Sequence, residues 1–296
     1  MIATDAEPAA AAAPTACVPS RRNLSLAQLR SFSEDGFVVL RNVIPPHLIA
    51  GMRSAFSRAG SRMLTQLRAE GMIPGVGMDQ PFESGIAAAG DAMKRFGRSW
   101  RQEIAGPELY DLHRAPLLVD AMESLLPHGV CAHPIYNARP KLPNHALTTV
   151  PWHQDSAYFG AHTAQKSIIT AWLPLVPVDA ANGCLQVALG SHRYGLMPHH
   201  TESGEGQFLE ITGGDPRPDV VVTIEMMPGD ALVFGNLLWH RSLPNRSDHV
   251  RWSVDLRFHS QGDRDVNGYQ REWIVRSPTR RESSCEEWLA QEFPAR

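Results

Sequence analysis

The sequence predicts a mainly β fold, an antiparallel sandwich or jelly roll with flanking α-helices. Three observations carry that expectation. Short β-like runs follow one another from Cys131 to Phe258: "CAHPIYNAR", "VPWHQDSAYF", "SIITAWLPL", "CLQVALG", "VVVTIEMM", "ALVFG", "LLWH" and "RWSVDLRF". Turn signals such as Asn182-Gly183, Gly190-Ser191 and Pro228-Gly229-Asp230 fall between them, where glycine and asparagine supply the backbone freedom a reversal needs. The segments before Pro127 read as helical, and a block of strands after a block of helices argues for a sheet core buttressed at one side. No internal repeat is visible.

Residues 1–22 are Ala/Pro-rich and low in complexity, with too few large apolar groups to offset the entropy of ordering them, and read as a disordered tail. Residues 23–296 then form one domain, a length that all-β cores often reach as a single unit. Ser25 with Gln28 makes a capping box, Leu26, Leu29 and Phe32 follow as an apolar stripe, and Gly36 ends the helix. "FVVLRNVI" (37–44) reads as a buried strand. Pro45-Pro46 opens a longer helix with Leu48, Met52, Phe56, Met63 and Leu67 near helical spacing. Gly71 to Trp100 shows little periodicity and suggests a lid over a site or an ordinary surface connection. Another helix is expected over Pro107 to Leu126.

Composition excludes several partners. Lys+Arg 28 against Asp+Glu 31 gives a net charge of -3, with no basic run or aromatic-interleaved basic stripe for nucleic acid or anionic lipid. No apolar stretch approaches the roughly 20 residues of a membrane span, and no secretory signal is seen, Arg21-Arg22 being followed by an amphipathic segment. Cys17, Cys131, Cys184 and Cys285 are scattered, which suits a reducing, cytoplasmic setting. The expected partner is a small-molecule substrate; the composition leaves the oligomeric state open.

Within "VPWHQDSAYF", His153 and Asp155 stand two apart, and on a strand such residues point to one face while Gln154 points away. Alone, this pair could be a structural hydrogen bond. His240, 87 residues downstream in "NLLWHRS", supplies a second imidazole at the end of another β-like run. Two imidazoles and a carboxylate on one face of a metal form the facial triad of non-haem Fe(II) oxygenases. Arg251, 11 residues after His240, is costly to bury without a carboxylate partner, which 2-oxoglutarate supplies unless Asp255 or Asp248 pairs with it at the surface. Fe(II), Asp155, the dianionic cosubstrate and Arg251 together sum to zero charge, so the cluster is expected to be neutral only when complete.

In family order, "FSEDGFVVLRNVI", "NARPKLP", "TTVPWHQDSAYF", "TAWLPLVPVDAANGCLQVALGSHR", "PGDALVFGNLLWHRSLPN" and "RWSVDLRF" resemble the phytanoyl-CoA dioxygenase family of Fe(II)/2-oxoglutarate-dependent oxygenases. The resemblance implies a double-stranded β-helix (jelly roll, cupin-like) core, with His153, Asp155 and His240 binding Fe(II) and Arg251 clamping the distal carboxylate of 2-oxoglutarate. It further implies that Ser242 and Ser253 donate to that carboxylate, that Trp172 lines the pocket, and that Asn137, or else Arg139 or Lys141, meets the C1 end. Tyr158, Trp239 and Arg257 are expected in the substrate wall. His192 resembles a structural turn of the family, and His199-His200 reads as a solvated loop pair.

The implied activity is oxidation, by hydroxylation first, of a small metabolite of the natural-product kind, with O2 consumed and succinate and CO2 released. Halogenating relatives lack the carboxylate ligand, which Asp155 provides here. A zinc-dependent hydrolase and a non-catalytic metal-binding jelly roll are the competing classes.

Overall fold

The computed structural model describes residues 23–73, 82, 84, 86–96, 100–201, 206–263 and 272–292; the expected tail at 1–22 lies outside them. In chain order the helices and strands are α1 (Leu26–Asp35), β1 (Phe37–Leu40), α2 (Pro46–Ala69), α3 (Pro107–His113), α4 (Pro116–Leu125), β2 (Val130–Ala132), β3 (Asn137–Lys141), α5 (Asp155–Phe159) and β4 (Ile168–Pro174). They continue as β5 (Leu185–Ala188), β6 (His199–Thr201), β7 (Leu209–Ile211), β8 (Val221–Ile224), β9 (Ala231–Gly235), β10 (His240–Ser242), β11 (Arg251–Ser260), β12 (Trp273–Arg276) and α6 (Cys285–Glu292).

Among the described residues a seven-stranded sheet runs β1-β9-β4-β11-β2-β12 with β3 also on β11, a second sheet runs β10-β5-β8, and β6-β7 form a hairpin. Every strand pair is antiparallel. This is the jelly-roll core with flanking helices that the alternating runs and turn signals foretold.

The capping box is present, with Gln28 N–H donating to Ser25 Oγ, and Gly36 ends α1 at φ 91°, a conformation that glycine alone adopts without strain. Three expectations on element bounds are corrected. The strand at 37–44 stops at Leu40 because Asn42 turns into the left-handed region at φ 53°. The expected single helix at 107–126 is two, α3 and α4. Pro116 lacks the N–H that a continuous helix would use and pushes Ala115 out of the helical region, to ψ 120°. "VPWHQDSAYF" is not a strand: His153 makes one isolated bridge, and the chain then enters α5 at Asp155.

The helices cover the outer face of the large sheet. Side chains alternate along β11, so Trp252 points outward from the sheet while Arg251 and Ser253 point inward. Trp252 packs against Phe56 of α2 (ring centroids 4.9 Å), Phe82 (4.9 Å) and Trp100 (5.3 Å), and its indole N–H donates to Phe82 O at 3.0 Å. The described part of the Gly71–Trp100 segment therefore belongs to this outer core, where Ile86, Met93 and Trp100 are buried, on the far side of β11 from the lining of the cavity described below. The remainder of the expected lid, including 74–81 and 97–99, lies outside the described residues. Trp252→Ala would open a void among three aromatic rings and is expected to cost about 3–5 kcal/mol, read as a lowered urea midpoint with an unchanged m value.

Candidate metal centre and pocket

The two histidines are joined before any ligand is considered. His153 N–H donates to His240 O at 3.0 Å and His240 N–H to His153 O at 3.1 Å, so the two chain segments are locked side by side and the rings lie 4.1 Å apart. Asp155 joins them because the backbone leaves its extended course there. Gln154 is still extended (φ −120°, ψ 137°), but Ser156 N–H bonds Asn236 O at 3.1 Å and starts the helical turn. The convergence that a two-residue strand period would give is thus achieved by a strand-to-helix corner.

One ligand atom from each of His153, Asp155 and His240 lies within 4.8 Å of the other two, and all three residues are buried. Two metal–ligand bonds of about 2.0–2.2 Å span about 4 Å, so the set fits one ion. Each imidazole bonds the carbonyl two residues back through Nδ1, His153 to Pro151 at 2.9 Å and His240 to Leu238 at 3.0 Å. A carbonyl can only accept, so Nδ1 carries the proton and Nε2 keeps its lone pair for a metal. Burial lowers the pKa of both rings, which favours the neutral form a metal requires.

Arg257, expected in the substrate wall, does line the cavity, and its guanidinium is turned onto the carboxylate ligand. Its Nε donates to Asp155 Oδ2 at 3.1 Å and its Nη2 to Oδ1 at 2.9 Å, while Thr170 Oγ1 donates to Oδ2 at 2.7 Å. Burial alone would raise the Asp155 pKa; the charge and hydrogen bonds of Arg257, together with His240 and His153, outweigh it and hold the group ionised. Oδ2 accepts two bonds and Oδ1 one, which leaves Oδ1 better placed for a metal.

The cavity beside the triad has a volume of about 250 Å3. Its floor is three strands in register: Lys141, Arg139 and Asn137 of β3 face Arg251, Ser253 and Asp255 of β11, and Thr170 and Trp172 of β4 face Arg257 and Asp255. Arg251 is buried, its guanidinium lies 5.3 Å over the Trp172 ring, and burial pushes its pKa down to about 10. Lys141 is 1% exposed. Its ammonium donates to Thr148 O and, at 2.8 Å, to Ser242 Oγ; burial and then the nearby Arg251 and Arg139 lower its pKa well below the usual lysine range. Among the described residues neither Arg251 nor Lys141 forms an ion pair.

The expected neutral charge balance therefore does not hold: five basic side chains, Arg139, Lys141, Arg241, Arg251 and Arg257, share this cavity with two carboxylates, Asp155 and Asp255, and only Arg241 has its carboxylate, Asp215, outside the lining. The expected surface partner Asp255 lies under the pocket, 3.7 Å from Arg139 Nε and 4.0 Å from Arg257 Nη2.

The remaining expectations divide. Ser242 Oγ accepts from Lys141 and from Val150 N–H (3.0 Å), so its own proton remains for a ligand. Ser253 Oγ accepts from Arg251 Nη1 at 2.5 Å and lies outside the cavity lining; it aims the guanidinium. Asn137, with its amide oxygen toward the guanidiniums, accepts from Arg139 Nη2 at 3.1 Å and Arg257 Nη1 at 3.3 Å. Trp172 and Tyr158 line the cavity. Trp239 does not, because alternation turns it away from the face that His240 occupies; it packs near Tyr194 instead.

Three residues do more than the sequence suggested. Gln154 is fully buried and bonds Gly195 O, Leu237 O and Met197 N–H at 2.7–2.8 Å. His199 Nε2 accepts from Gln154 N–H at 3.2 Å, so it braces the ligand segment and is not a solvated loop residue. Gly183 (φ +88°) would place a Cβ 2.6 Å from Lys141 Cε and 2.5 Å from Leu243 O. His192 keeps its expected turn role through Ser33 O at 3.1 Å.

The family model for phytanoyl-CoA dioxygenase matches residues 32–253. The peroxisomal phytanoyl-CoA dioxygenase of Rattus norvegicus is 28% identical over 260 residues, covering 86% of this chain and 74% of the rat protein. The 1-deoxypentalenic acid 11-beta-hydroxylase of Streptomyces arenae is 29% identical over 242 residues, 77% of this chain and 78% of that one. In fold the chain is similar to the apo form of the non-heme monooxygenase ThoJ (TM-score 0.58, 22% identity, 88% of this chain and 90% of that one). It is also similar to EvdO2 of Micromonospora carbonacea var. aurantiaca complexed with 2-oxoglutarate (TM-score 0.53, 21% identity, 79% and 90%).

Outer partners of metal ligands typically govern about 10–100-fold in metal affinity. Arg257→Met, which keeps the stem and deletes the guanidinium, is expected to weaken Ni(II) or Fe(II) binding by about that factor in anaerobic calorimetry. The His153–His240 backbone pair should survive, as the unchanged far-ultraviolet circular dichroism would show.

Proposed function

Because the chain belongs to the phytanoyl-CoA dioxygenase family, we propose that it is a non-haem Fe(II)- and 2-oxoglutarate-dependent oxygenase that oxidises a small-molecule metabolite, with hydroxylation the first choice over desaturation, epoxidation or ring formation. The observation that carries this is the pairing of an imidazole–imidazole–carboxylate set with two buried basic side chains, Lys141 and Arg251, that form no ion pair among the described residues. A dianionic cosubstrate would be held by both, with the triad at the other end of the cavity.

His153 Nε2, His240 Nε2 and Asp155 would hold the metal. Iron bound there supplies the oxygen chemistry, in which 2-oxoglutarate and O2 go to succinate and CO2 as a substrate C–H bond is oxidised. The chain's own part is binding and aim. Arg251, aimed by Ser253 and stacked on Trp172, takes the distal carboxylate of 2-oxoglutarate through two guanidinium N–H groups. Lys141 and the Ser242 hydroxyl add a charge and a donor beside it. Lys141 pairs in register with Arg251 and would serve that distal end, whereas Asn137, opposite Asp255 in the same register, is the β3 residue assigned to the C1 end. Arg257 holds Asp155 ionised and oriented. Phe159, Phe234 and Phe208 wall the cavity with apolar surface, which excludes water from the reacting carbon.

A hydrolase using a metal-bound water on the same ligands has no use for Lys141 and Arg251, and a non-catalytic binder would consume no cosubstrate. Among the described residues no helix is long and apolar enough to cross a membrane, and Cys131, Cys184 and Cys285 are free thiols, which accords with a cytoplasmic enzyme.

Succinate formation from 2-oxoglutarate, measured with Fe(II) present and withheld, tests the assignment; its absence under aerobic conditions with Fe(II) sinks it. Asp155→Ala is expected to abolish turnover with the fold intact. Arg251→Ala is expected to weaken 2-oxoglutarate binding by on the order of a hundred- to several-thousand-fold, from the roughly 3–5 kcal/mol cost of breaking a buried charge pair. Metal affinity should stay close to the parent's, and Arg251→Lys should fall between because one ammonium cannot reproduce the fork. Titrating 2-oxoglutarate and Ni(II) separately into each variant reads both quantities.

A further inference from the structure

On the premise of the oxygenase assignment above, we propose that the molecule oxidised is an organic anion, a carboxylate-bearing compound whose charge is received by Arg139. Apart from Arg241, four basic side chains face two carboxylates in the cavity. Fe(II) and dianionic 2-oxoglutarate carry equal and opposite charge, so loading the site leaves the excess of two positive charges unchanged. Arg241 also lines the cavity, but it has Asp215 at 3.6 Å, bonds Gln186 Oε1 at 2.8 Å and stacks on Trp152.

The excess is localised. Arg257 is committed to Asp155 through two hydrogen bonds, and its side chain is 5% exposed. Lys141 and Arg251 stand together at the end assigned to the cosubstrate. Arg139 remains. Its Nη2 donates to the neutral Asn137 amide at 3.1 Å, but its Nε has no hydrogen-bond partner among the described residues, and the carboxylate near it, Asp255, is 3.7 Å away, beyond hydrogen-bonding distance, and lies also beside Arg257. With 27% of its side chain exposed, it is more open to an incoming molecule than the other three.

Arg139 also stands centrally. In the register of β3 and β11 it stands opposite Ser253, between the Lys141–Arg251 and Asn137–Asp255 pairs, and its charge acts on both Lys141 and Arg251, so an anion docked on it relieves repulsion there. A guanidinium presents a planar fork that fits a carboxylate in two parallel hydrogen bonds. A neutral substrate would seal the same excess charge under apolar surface with nothing to offset it.

The test uses anaerobic Fe(II) protein saturated with 2-oxoglutarate. It is titrated calorimetrically with matched acids and amides: cyclohexanecarboxylate and its carboxamide, phenylacetate and phenylacetamide, decanoate and decanamide. In the parent, at least one acid is expected to bind on the order of ten-fold or more tightly than its amide, as a charge-assisted pair provides. Arg139→Gln is expected to remove the preference with 2-oxoglutarate affinity kept within about two-fold, and Arg139→Lys, which keeps the charge, to retain part of it. If 2-oxoglutarate binds but no acid is preferred over its amide, the anion proposal falls and the oxygenase assignment stands. If Arg139→Gln and Arg139→Lys lose 2-oxoglutarate binding together with acid binding, while melting at the parent's temperature, Arg139 serves the cosubstrate and the proposal is overturned. Failure of 2-oxoglutarate to bind the parent at all removes the oxygenase assignment, and the proposal with it.

Discussion

The reciprocal backbone bonds between His153 and His240 are the constraint on which the site rests. Residues 87 apart in sequence share one antiparallel bridge, so the roots of both imidazoles are fixed by main-chain geometry and their separation does not depend on side-chain packing alone. Each ring then bonds the carbonyl two residues before it. The same local device, used twice, fixes the tautomer on both sides. Gln154 and His199 extend the constraint into the surrounding loops, because a buried amide with three main-chain bonds leaves the segment no alternative register.

The strand β11 imposes the second order. Arg251, Ser253, Asp255 and Arg257 line one face, and Trp252, Val254, Leu256 and Phe258 lie on the other, all but fully buried. A slip of one residue would drive charges into the apolar core and aromatic rings into the pocket, so burial on both faces specifies the register. The ladder of charge along this strand is in this sense a by-product of the packing behind it.

Much of this was legible because residue type and spacing carry direct chemical meaning. His153, Asp155 and His240 could be picked out since few arrangements use that set, and Arg251 since a cation in a buried strand demands a counterion. The capping box at Ser25 and the strands β4, β5, β8, β9 and β11 were readable from local pattern. What escaped depends on partners remote in sequence. Arg257 meets Asp155 across 102 residues and Lys141 meets Ser242 across 101, and no local pattern announces either. The strand expected through His153 failed for a related reason: the bond from Ser156 to Asn236, which turns the chain into α5, is invisible to alternation. The neutral charge balance failed because it counted only the groups already suspected of function.

Asn182-Gly183 reads in the sequence as an ordinary turn, yet Gly183 is also the surface against which the Lys141 stem lies. Any side chain there would press on the methylene groups of that lysine and on a main-chain oxygen at once, at a backbone angle that disfavours side chains in any case. Two parts of the molecule that ordinarily drift independently, a loop and a binding seat, are thereby mechanically coupled. An engineer reshaping the pocket has no free ground in this turn, where a loop graft would arrive as a displacement of Lys141.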